Sequence, residues 1–457
     1  MKKCFLLLAV FMIVSGVVWA QDRVSEIPDF FTAVPTISTE ARFSAWQFDS
    51  DVDNFIDPRF YDPEIGTFLF MGGFPSGGNV YATNNLYDAS DYAISLGFAR
   101  TLGSNYLGVY YGGSFVRADG EKDGPFGNDD DFIRNTSATW NNNLAVLLGM
   151  PGMGIRFDLV MDNVGSTTEL IRDSNGNDYR QYDRTGGPGI SFTWGSDMGD
   201  LFPFVKLGFK FADEYWSIND DGDRYSMTYG GFWGLQGGAY YDIDEFSGFS
   251  AALLVGGQFK ETFREPDEDH VKEGGMFGLA LNADYMRSMQ FGKFTLQFNP
   301  SLYLDFSSYN DTPSYIDDSF PRDNIFSLGF DLYLGARYQH EKIALYSGFG
   351  LNLFNWDTSF YTGGDDDYKD GSNSWEISGI SWINDTLGPG GILAFGMTFT
   401  PVEGLVFGVG LSNLLQNVFT LNLQRMQLSA GNIINSSGVF TNIFNSGILD
   451  LTVSYRF

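Results

Sequence analysis

FTLQFNPSLYLDF, residues 294–306, is the stretch that decides the fold. Its even-numbered positions are apolar apart from Pro300, and its odd-numbered positions carry mainly polar side chains. Side chains of a β-strand point alternately to its two faces, whereas those of a helix repeat about every 3.6 residues. The stretch therefore predicts a strand with one apolar and one polar face, which is the pattern of a strand in a transmembrane barrel.

The same alternation recurs along most of the chain. The segment 326–337 places Phe and Leu at even positions, and 203–212 places Val205, Leu207 and Phe209 on one face. The opposite faces are rich in Gly, Ser and Asn, whereas a soluble barrel would direct large aliphatic side chains inward, so a membrane barrel is favoured. Further strands are predicted over 91–101, 106–117, 138–150, 154–163, 188–197, 228–241, 248–258, 275–287, 343–354, 391–401 and 404–414.

The connections between these segments alternate between short and long. The short ones are 102–105, 151–153, 198–202, 242–247, 288–293, 339–342 and 402–403. The long ones are 118–137, 164–187, 213–227, 259–274, 307–324, 355–390 and 415–446. Membrane barrels have short periplasmic turns and long extracellular loops, so the rhythm is a second, independent indication of the same fold.

The alternation of short and long connections also gives the number of strands. Seven short turns join fourteen strands, and residues 447–457 add one more. Bacterial single-chain barrels have an even number of strands, so one strand must precede residue 91, and 67–74 is the best candidate. The sequence therefore predicts an all-β fold, a transmembrane antiparallel up-and-down β-barrel of about 16 strands, with about 14 or 18 as alternatives.

The N-terminus has the features of a secretory signal peptide. Two lysines precede an apolar stretch over residues 5–14, and small residues near Ala20 favour cleavage after it. We therefore expect residues 1–20 to direct export and residues 66–457 to form the barrel. Residues 21–65 contain four prolines and are expected to be irregular, as a plug or a periplasmic extension.

Composition restricts the chemistry. The only cysteine, Cys4, lies in the predicted signal peptide, so disulfides and thiol chemistry are not expected in the mature protein. No stretch of about 18 apolar residues follows it, so we expect no transmembrane helix. The formal net charge of −30 disfavours nucleic acid as a partner and favours cations or cation-bridged lipopolysaccharide. The pattern predicts no cofactor, and it does not define the oligomeric state.

The last segment resembles the C-terminal signature of outer-membrane β-barrel proteins. Val453, Tyr455 and Phe457 alternate with polar residues, and Phe457 is the terminal aromatic. In that superfamily the barrel-insertion machinery reads such a segment. The resemblance implies insertion by that machinery and a bacterial outer-membrane location. It identifies no particular porin or transporter family.

Charged residues on the inward faces are the candidates for a role in permeation. Rings of charge set the ion preference of pores, but the same charges can also pair across the wall and stiffen it. Both interpretations stay open for the whole set. The candidate lumen residues are Arg156, Asp158, Asp162, Lys206, Lys210, Asp284, Asp305, Asp331, Arg337 and Arg456.

Other chemistry has weaker support. Acidic runs in the long connections carry Asp220, Asp221, Asp223, Asp365 and Asp367, which loosely match Ca²⁺ loops but lack the full twelve-residue pattern. A solvated acidic surface explains them as well. The two histidines lack an identifiable nucleophile partner, so we expect no enzyme.

Three functions agree with these features. The first is a porin-like channel for passive diffusion of small polar solutes or ions, mildly favouring cations. The second is a plugged transporter for a hydrophobic or specific ligand. The third is a surface adhesin or structural outer-membrane protein that acts through its long acidic loops.

Overall fold

A computed structural model provides the structure of the protein. It describes residues 66–72, 75–76, 81–82, 85–86, 88–123, 132–170, 179–211, 213–219, 224–228, 231–258, 260–264, 269–273, 276–310, 322–362, 373–376, 393–412 and 448–457. Among these residues, no helix is long and apolar enough to cross a membrane. The predicted signal peptide and the segment 21–65 lie outside the described residues.

Sixteen antiparallel strands form a single closed wall. They are β1 (Thr67–Gly72), β2 (Asp88–Leu102), β3 (Asn105–Asp123), β4 (Phe132–Met150), β5 (Met153–Leu170), β6 (Tyr179–Ser196), β7 (Leu201–Lys210, then Asp213–Asn219), β8 (Arg224–Thr228, then Phe232–Asp244), β9 (Ser247–Gln258, then Lys260–Arg264), β10 (Asp269–Glu273, then Met276–Phe291), β11 (Phe294–Asn310), β12 (Arg322–His340), β13 (Ile343–Thr362), β14 (Leu393–Val402), β15 (Leu405–Ser412) and β16 (Ile448–Arg456).

The wall closes where β1 pairs with β16. Phe68 lies opposite Arg456 and Gly72 lies opposite Thr452, while the other edge of β1 pairs with β2. The predictions of 16 strands and of a strand near residues 67–74 are both confirmed. Short additional segments pair beside the wall: Pro75–Ser76 continues along β2, and Asn373–Glu376 pairs with β13.

One end of the barrel carries all seven short turns, and we call it the turn end. Gly103, Gly152, Gly199, Gly292 and Gly404 adopt positive φ angles in these turns. Residues with a Cβ rarely adopt that conformation, so glycine is the favoured residue there. The predicted short connections are confirmed as turns, with the flanking strands extending by one or a few residues.

Several predicted long connections are largely strand, which corrects the sequence interpretation. The ladder between β3 and β4 continues as far as Asp123 opposite Phe132, and that between β5 and β6 reaches Leu170 opposite Tyr179. A 19-residue strand such as β3 is about 60 Å long and rises roughly 45–50 Å when tilted by about 40°. This exceeds the ~25 Å apolar band of a barrel, so the paired wall extends beyond the membrane.

The two faces of the wall are chemically different. Outward positions near the turn end carry large, exposed apolar side chains on strands around the wall, such as Leu96, Phe157 and Leu345. Many inward positions are buried, and these include polar groups such as Thr193, Gln297 and Ser327. The predicted facing is therefore confirmed, because the alternation places a lipid-like surface outside and a polar surface inside.

Large aromatic side chains line the lumen on β1 and β3, together with Leu147 on β4. This aromatic cluster contains Phe68, Phe70, Tyr106, Tyr110 and Leu147, all of them buried. The expectation that inward side chains are mainly small is wrong here. Tyr106 lies inside the barrel, whereas Tyr241 and Phe399 are exposed on the outside near the turn end.

Some aromatic rings fold down over glycines of the wall. The Tyr110 ring covers Gly112, and the Phe204 ring covers Gly238, where an added Cβ would lie 2.8 Å from Phe204 Cε1. A Cβ at Gly238 would also collide with the backbone carbonyl oxygen of Ala251. Glycine at these positions lets the rings lie flat against the wall.

Replacing Gly238 by alanine is expected to destabilise the barrel by about 1–3 kcal/mol, because backbone as well as a ring must move. Gly237→Ala is the matched control, since its nearest neighbour would be the Phe204 carbonyl oxygen at 3.9 Å. Urea unfolding of the refolded proteins measures the difference. Equal stability of the two variants would contradict the packing described.

Candidate functional site: the lumen wall

Two groups of charged side chains face the lumen from separate parts of the wall. The basic face comprises Arg156 and Asp158 on β5 with Lys206 and Lys210 on β7. The acidic face comprises Asp284 on β10, Asp305 on β11 and Asp331 on β12. The cross-strand registers place every one of these residues on the inward side.

An ion pair is at the centre of the basic face. The Nη2 of Arg156 donates to Oδ1 of Asp158 at 2.6 Å, and its Nε donates to the same carboxylate at 2.9 Å. Ser191 Oγ on β6 donates a further hydrogen bond to Oδ2 of Asp158 at 3.2 Å. The guanidinium also lies over the Tyr110 ring, 5.8 Å from its centroid. A bidentate ion pair adds geometric specificity as well as energy, so both side chains are held in one arrangement.

The lysines extend the basic face along β7. Lys206 lies opposite Thr193 on one side and Gln236 on the other, and both lysines are buried. Because Thr193 is also opposite Arg156, the lysine and the ion pair lie only two strands apart. The basic face carries three cationic groups and one carboxylate, so its net charge is positive.

A row of hydroxyl and carboxylate groups crosses the acidic face. Asp284 lies opposite Ser250 and Ser301, and Ser301 lies opposite Asp331. We call Ser250, Asp284, Ser301 and Asp331 the acidic row. Ser250 Oγ donates to Asp284 Oδ2 at 3.1 Å, and Tyr333 Oη donates to Asp331 Oδ2 at 3.4 Å. The row presents two carboxylates with hydroxyl groups between and beside them.

The acidic face is open to the lumen at one side of the row. Asn282 is exposed although its position faces inward, and it accepts a 3.3 Å hydrogen bond from Ser301 Oγ. Asp305 forms no hydrogen bond or salt bridge with any described residue. A carboxylate without a basic partner makes this part of the wall attractive to cations.

Two buried amides on β11 complete the region, and the sequence interpretation missed them. Gln297 and Asn299 are 2% and 1% exposed. Within the described part of the chain, neither Nε2 nor Oε1 of Gln297 has a hydrogen-bond partner, nor has Oδ1 of Asn299. Both residues occupy odd-numbered, inward-facing positions of the 294–306 segment, which could have drawn attention to them. Only the structure shows that they are buried and have no hydrogen-bond partner at these atoms among the described residues. We call them the amide pair.

The remaining candidates are less central. Arg337 faces the lumen near the turn end, where it donates to Gln339 Oε1 at 3.1 Å and lies 5.9 Å from the centroid of the Tyr346 ring. Arg456 is half-buried opposite Phe68. The side chain of Asp162 lies outside the described residues.

The acidic loop candidates cannot be placed. Asp220, Asp221, Asp223, Asp365 and Asp367 lie outside the described residues. Within the part of the chain that the structure describes, no group of three His, Cys, Asp or Glu side chains is arranged to hold a metal ion.

The final strand has the facing expected from its alternation. Val453, Tyr455 and Phe457 occupy positions on the outer side, with Phe457 exposed and its ring 4.3 Å from that of Tyr455, centroid to centroid. A closed wall with an even strand number, apolar outside and polar inside, crosses a bilayer without unsatisfied backbone groups. This is the architecture of a bacterial outer-membrane β-barrel protein.

Comparisons with known proteins do not narrow the family. No protein-family model matches the chain, and no curated protein matches it. Among solved structures, CdiB from Acinetobacter baumannii aligns with 8% identity and a TM-score of 0.36, covering 86% of this chain and 60% of that one. The chain thus matches only about three fifths of the length of that CdiB.

Two further solved structures are similar at the same low level. The toluene transporter TodX from Pseudomonas putida shows 8% identity and a TM-score of 0.35, covering 71% of this chain and 95% of that one. The ferric-catecholate import receptor Fiu from E. coli shows 8% identity and a TM-score of 0.30, covering 86% and 81%. At these scores the similarities say nothing about what this barrel binds.

Proposed function

We propose that this protein is a channel of the bacterial outer membrane, through which small polar solutes or ions diffuse passively with a mild preference for cations. The observation that carries the proposal is the acidic face. Its three carboxylates line the lumen, and Asp305 has no basic partner among the described residues. This part of the wall, on β10 to β12, carries one sign of charge and lies apart from the basic face on β5 and β7, so it raises the local concentration of cations beside it.

Location and export belong to the same proposal. The apolar outer face suits a lipid environment, and the N-terminal features suit export to the periplasm. The C-terminal alternation suits insertion by the barrel-insertion machinery. Acidic surface loops suit contacts with divalent cations or lipopolysaccharide outside the cell.

Planar-bilayer recording of the refolded protein tests the channel. We expect single-channel steps and a cation-to-anion permeability ratio above one in a salt gradient. Neutralising the acidic face by Asp284→Asn, Asp305→Asn and Asp331→Asn together should lower that ratio by at least about twofold, because charges lining a pore set its ion preference.

A matched triple variant controls for the change in net charge. Glu245, Glu341 and Glu403 are exposed in short turns, and replacing all three by glutamine should alter the ratio much less. Absence of single-channel steps from pure protein would overturn the channel. An equal change of the ratio in both triple variants would show that the acidic face has no special role.

The aromatic cluster favours one alternative. Buried rings on β1 and β3 reduce the polar lumen surface on that side, which would suit a transporter for a hydrophobic or specific ligand. Uptake of a hydrophobic dye into liposomes, without ionic conductance, would support this alternative over the channel.

A further inference from the structure

The amide pair and the acidic row adjoin one another on the same inward surface. Asn299 and Ser301 are two residues apart on β11, and Gln297 is two residues further toward the turn end. Asn299 lies opposite Tyr333, whose hydroxyl donates to Asp331. Carboxylates thus lie at one end of a continuous polar surface, and neutral amides lie at the other.

The amide pair lowers the stability of the barrel as long as its buried polar atoms have no hydrogen-bond partner. A buried polar group without a partner costs about 1–3 kcal/mol, and the amide pair contains three such atoms. Native proteins keep few such groups, and a bound partner is one explanation for those they keep. A solute that hydrogen-bonds to these atoms would offset this unfavourable free energy. No existing hydrogen bond of these atoms would have to break before the solute binds.

The wall is weakened beside the amide pair. Pro300 has no N–H, and the ladder between β10 and β11 is interrupted from Asp284 opposite Ser301 to Arg287 opposite Phe298. On the far side of the row, the register between β12 and β13 shifts next to Asp331. Such irregularities reorient side chains locally. The exposed Asn282 gives access to the row from the lumen.

We propose that the acidic row and the amide pair form one binding subsite for an elongated organic cation. The solute carries an ammonium or guanidinium group at one end and a neutral hydrogen-bonding group, such as a hydroxyl or an amide, at the other. This inference rests on the proposed channel function and names the class of solute that the channel would take up.

The strand geometry sets the length of the solute. Residues two apart along a strand are separated by about 6.6 Å and those four apart by about 13 Å, so Asn299 and Gln297 are roughly that far from Ser301. Asp284 and Asp331 flank Ser301 on the adjacent strands, each about 5 Å away. A chain of five or so carbon atoms would therefore join an ammonium at the row to a hydroxyl at the amides.

The charges around the subsite favour one orientation. The ammonium is attracted to Asp284 and Asp331. Arg337 lies on β12, opposite Thr295, and therefore close to the Gln297 end. A second cationic group on the solute would be repelled there, whereas a hydroxyl would accept from Gln297 Nε2 and donate to Asn299 Oδ1.

Calorimetric titration of the refolded full-length protein in detergent tests the subsite without relying on conductance. Three probes of equal length are compared at neutral pH: aminopentanol, which has both functions, pentylamine, which lacks the hydroxyl, and pentanediol, which lacks the charge. Aminopentanol is expected to bind at least about tenfold more tightly than either of the others, because each lost charged or buried hydrogen bond is worth about a factor of ten.

Two double variants test the carboxylate end and the amide end of the subsite separately. Asp284→Asn with Asp331→Asn should reduce the affinity for aminopentanol to that for pentanediol. Gln297→Met with Asn299→Leu should reduce it to that for pentylamine. If a double variant fails to refold, the single variants Asp331→Asn and Gln297→Met replace it, each with a smaller loss in the same direction.

The matched control is Gln258→Met. Gln258 is a buried lumen amide on β9 whose Nε2 has no partner among the described residues, and its replacement should leave the affinity for aminopentanol unchanged. Equal affinities for the three probes, or an equal loss in the Gln258 variant, would overturn the subsite. Conductance without selective binding leaves the channel and removes the subsite, whereas selective binding without conductance removes the channel alone.

Discussion

Arg156→Met is expected to destabilise the barrel by about 3–5 kcal/mol, the largest effect of any single change proposed. Arg156 and Asp158 are 2% and 3% exposed, and the Nε and Nη2 atoms of the guanidinium both donate to the carboxylate. Methionine fills a similar volume but leaves the carboxylate buried without its cation. Removing one partner of a buried pair typically costs this amount, because the remaining charge is not solvated.

Two comparisons show whether burial is responsible. Arg287 and Asp244 form a salt bridge of 3.1 Å with side chains that are 44% and 46% exposed, so Arg287→Met should destabilise the barrel much less than Arg156→Met does. Adding Asp158→Leu to Arg156→Met should restore part of the lost stability, since the carboxylate that had lost its guanidinium partner is then removed as well. Urea unfolding in detergent gives all three values. A small effect of Arg156→Met would show that water reaches Asp158.

Leu207→Arg is expected to destabilise the protein by about 2–4 kcal/mol in lipid bilayers. Leu207 is 39% exposed on the outer face of β7. It lies six residues from Leu201, which is about 15 Å along the barrel axis at a tilt of roughly 40°. That height is near the middle of an apolar band of about 25 Å, where an arginine is most unfavourable.

Leu201→Arg is the control on the same strand. Leu201 is 38% exposed but lies at the turn end, where an arginine reaches the headgroups and costs about 0–1 kcal/mol. Reversible unfolding from phospholipid vesicles measures both. An equal loss of unfolding free energy in the two variants would contradict a membrane-spanning wall at this height, whatever the protein transports.

The alternation of residues was sufficient to predict the barrel and the facing of strands whose two faces differ, and the short and long connections were sufficient to predict the number of strands. Lipid demands apolar side chains at every second position, so segments such as 294–306 and 203–212 have a strong period of two. Above the membrane that demand ends. The ladders beyond residues 117 and 163 therefore continue through sequences that were interpreted as loops.

Facing could not be predicted where both sides of a strand are apolar. In β1, Phe68 and Phe70 alternate with Leu69 and Met71, so the sequence does not indicate which pair lies inside. The structure places the two phenylalanines in the lumen, where they pack with Tyr106 and Tyr110. An inward aromatic cluster depends on partners from four strands, which no local pattern reveals.

The lumen charges were predicted as positions but not as interactions. Arg156 and Asp158 are two residues apart and share a face, which the alternation shows. Whether they pair or remain open to solutes depends on neighbours such as Ser191, 33 residues away in sequence. For this pair the structure favours stiffening of the wall, whereas for Asp305 permeation remains our proposal.

The closure of the wall has a consequence for folding kinetics. Phe68 pairs with Arg456, so the last ladder joins the two ends of a barrel domain of nearly four hundred residues. The entropy of closing such a loop grows only slowly with its length, but contacts so distant in sequence form late and slowly. Until then β1 and β16 are open edges with unpaired backbone groups, which can pair with other chains. We therefore expect refolding to become aggregation-limited as protein concentration rises, and to improve when a holding chaperone covers those edges.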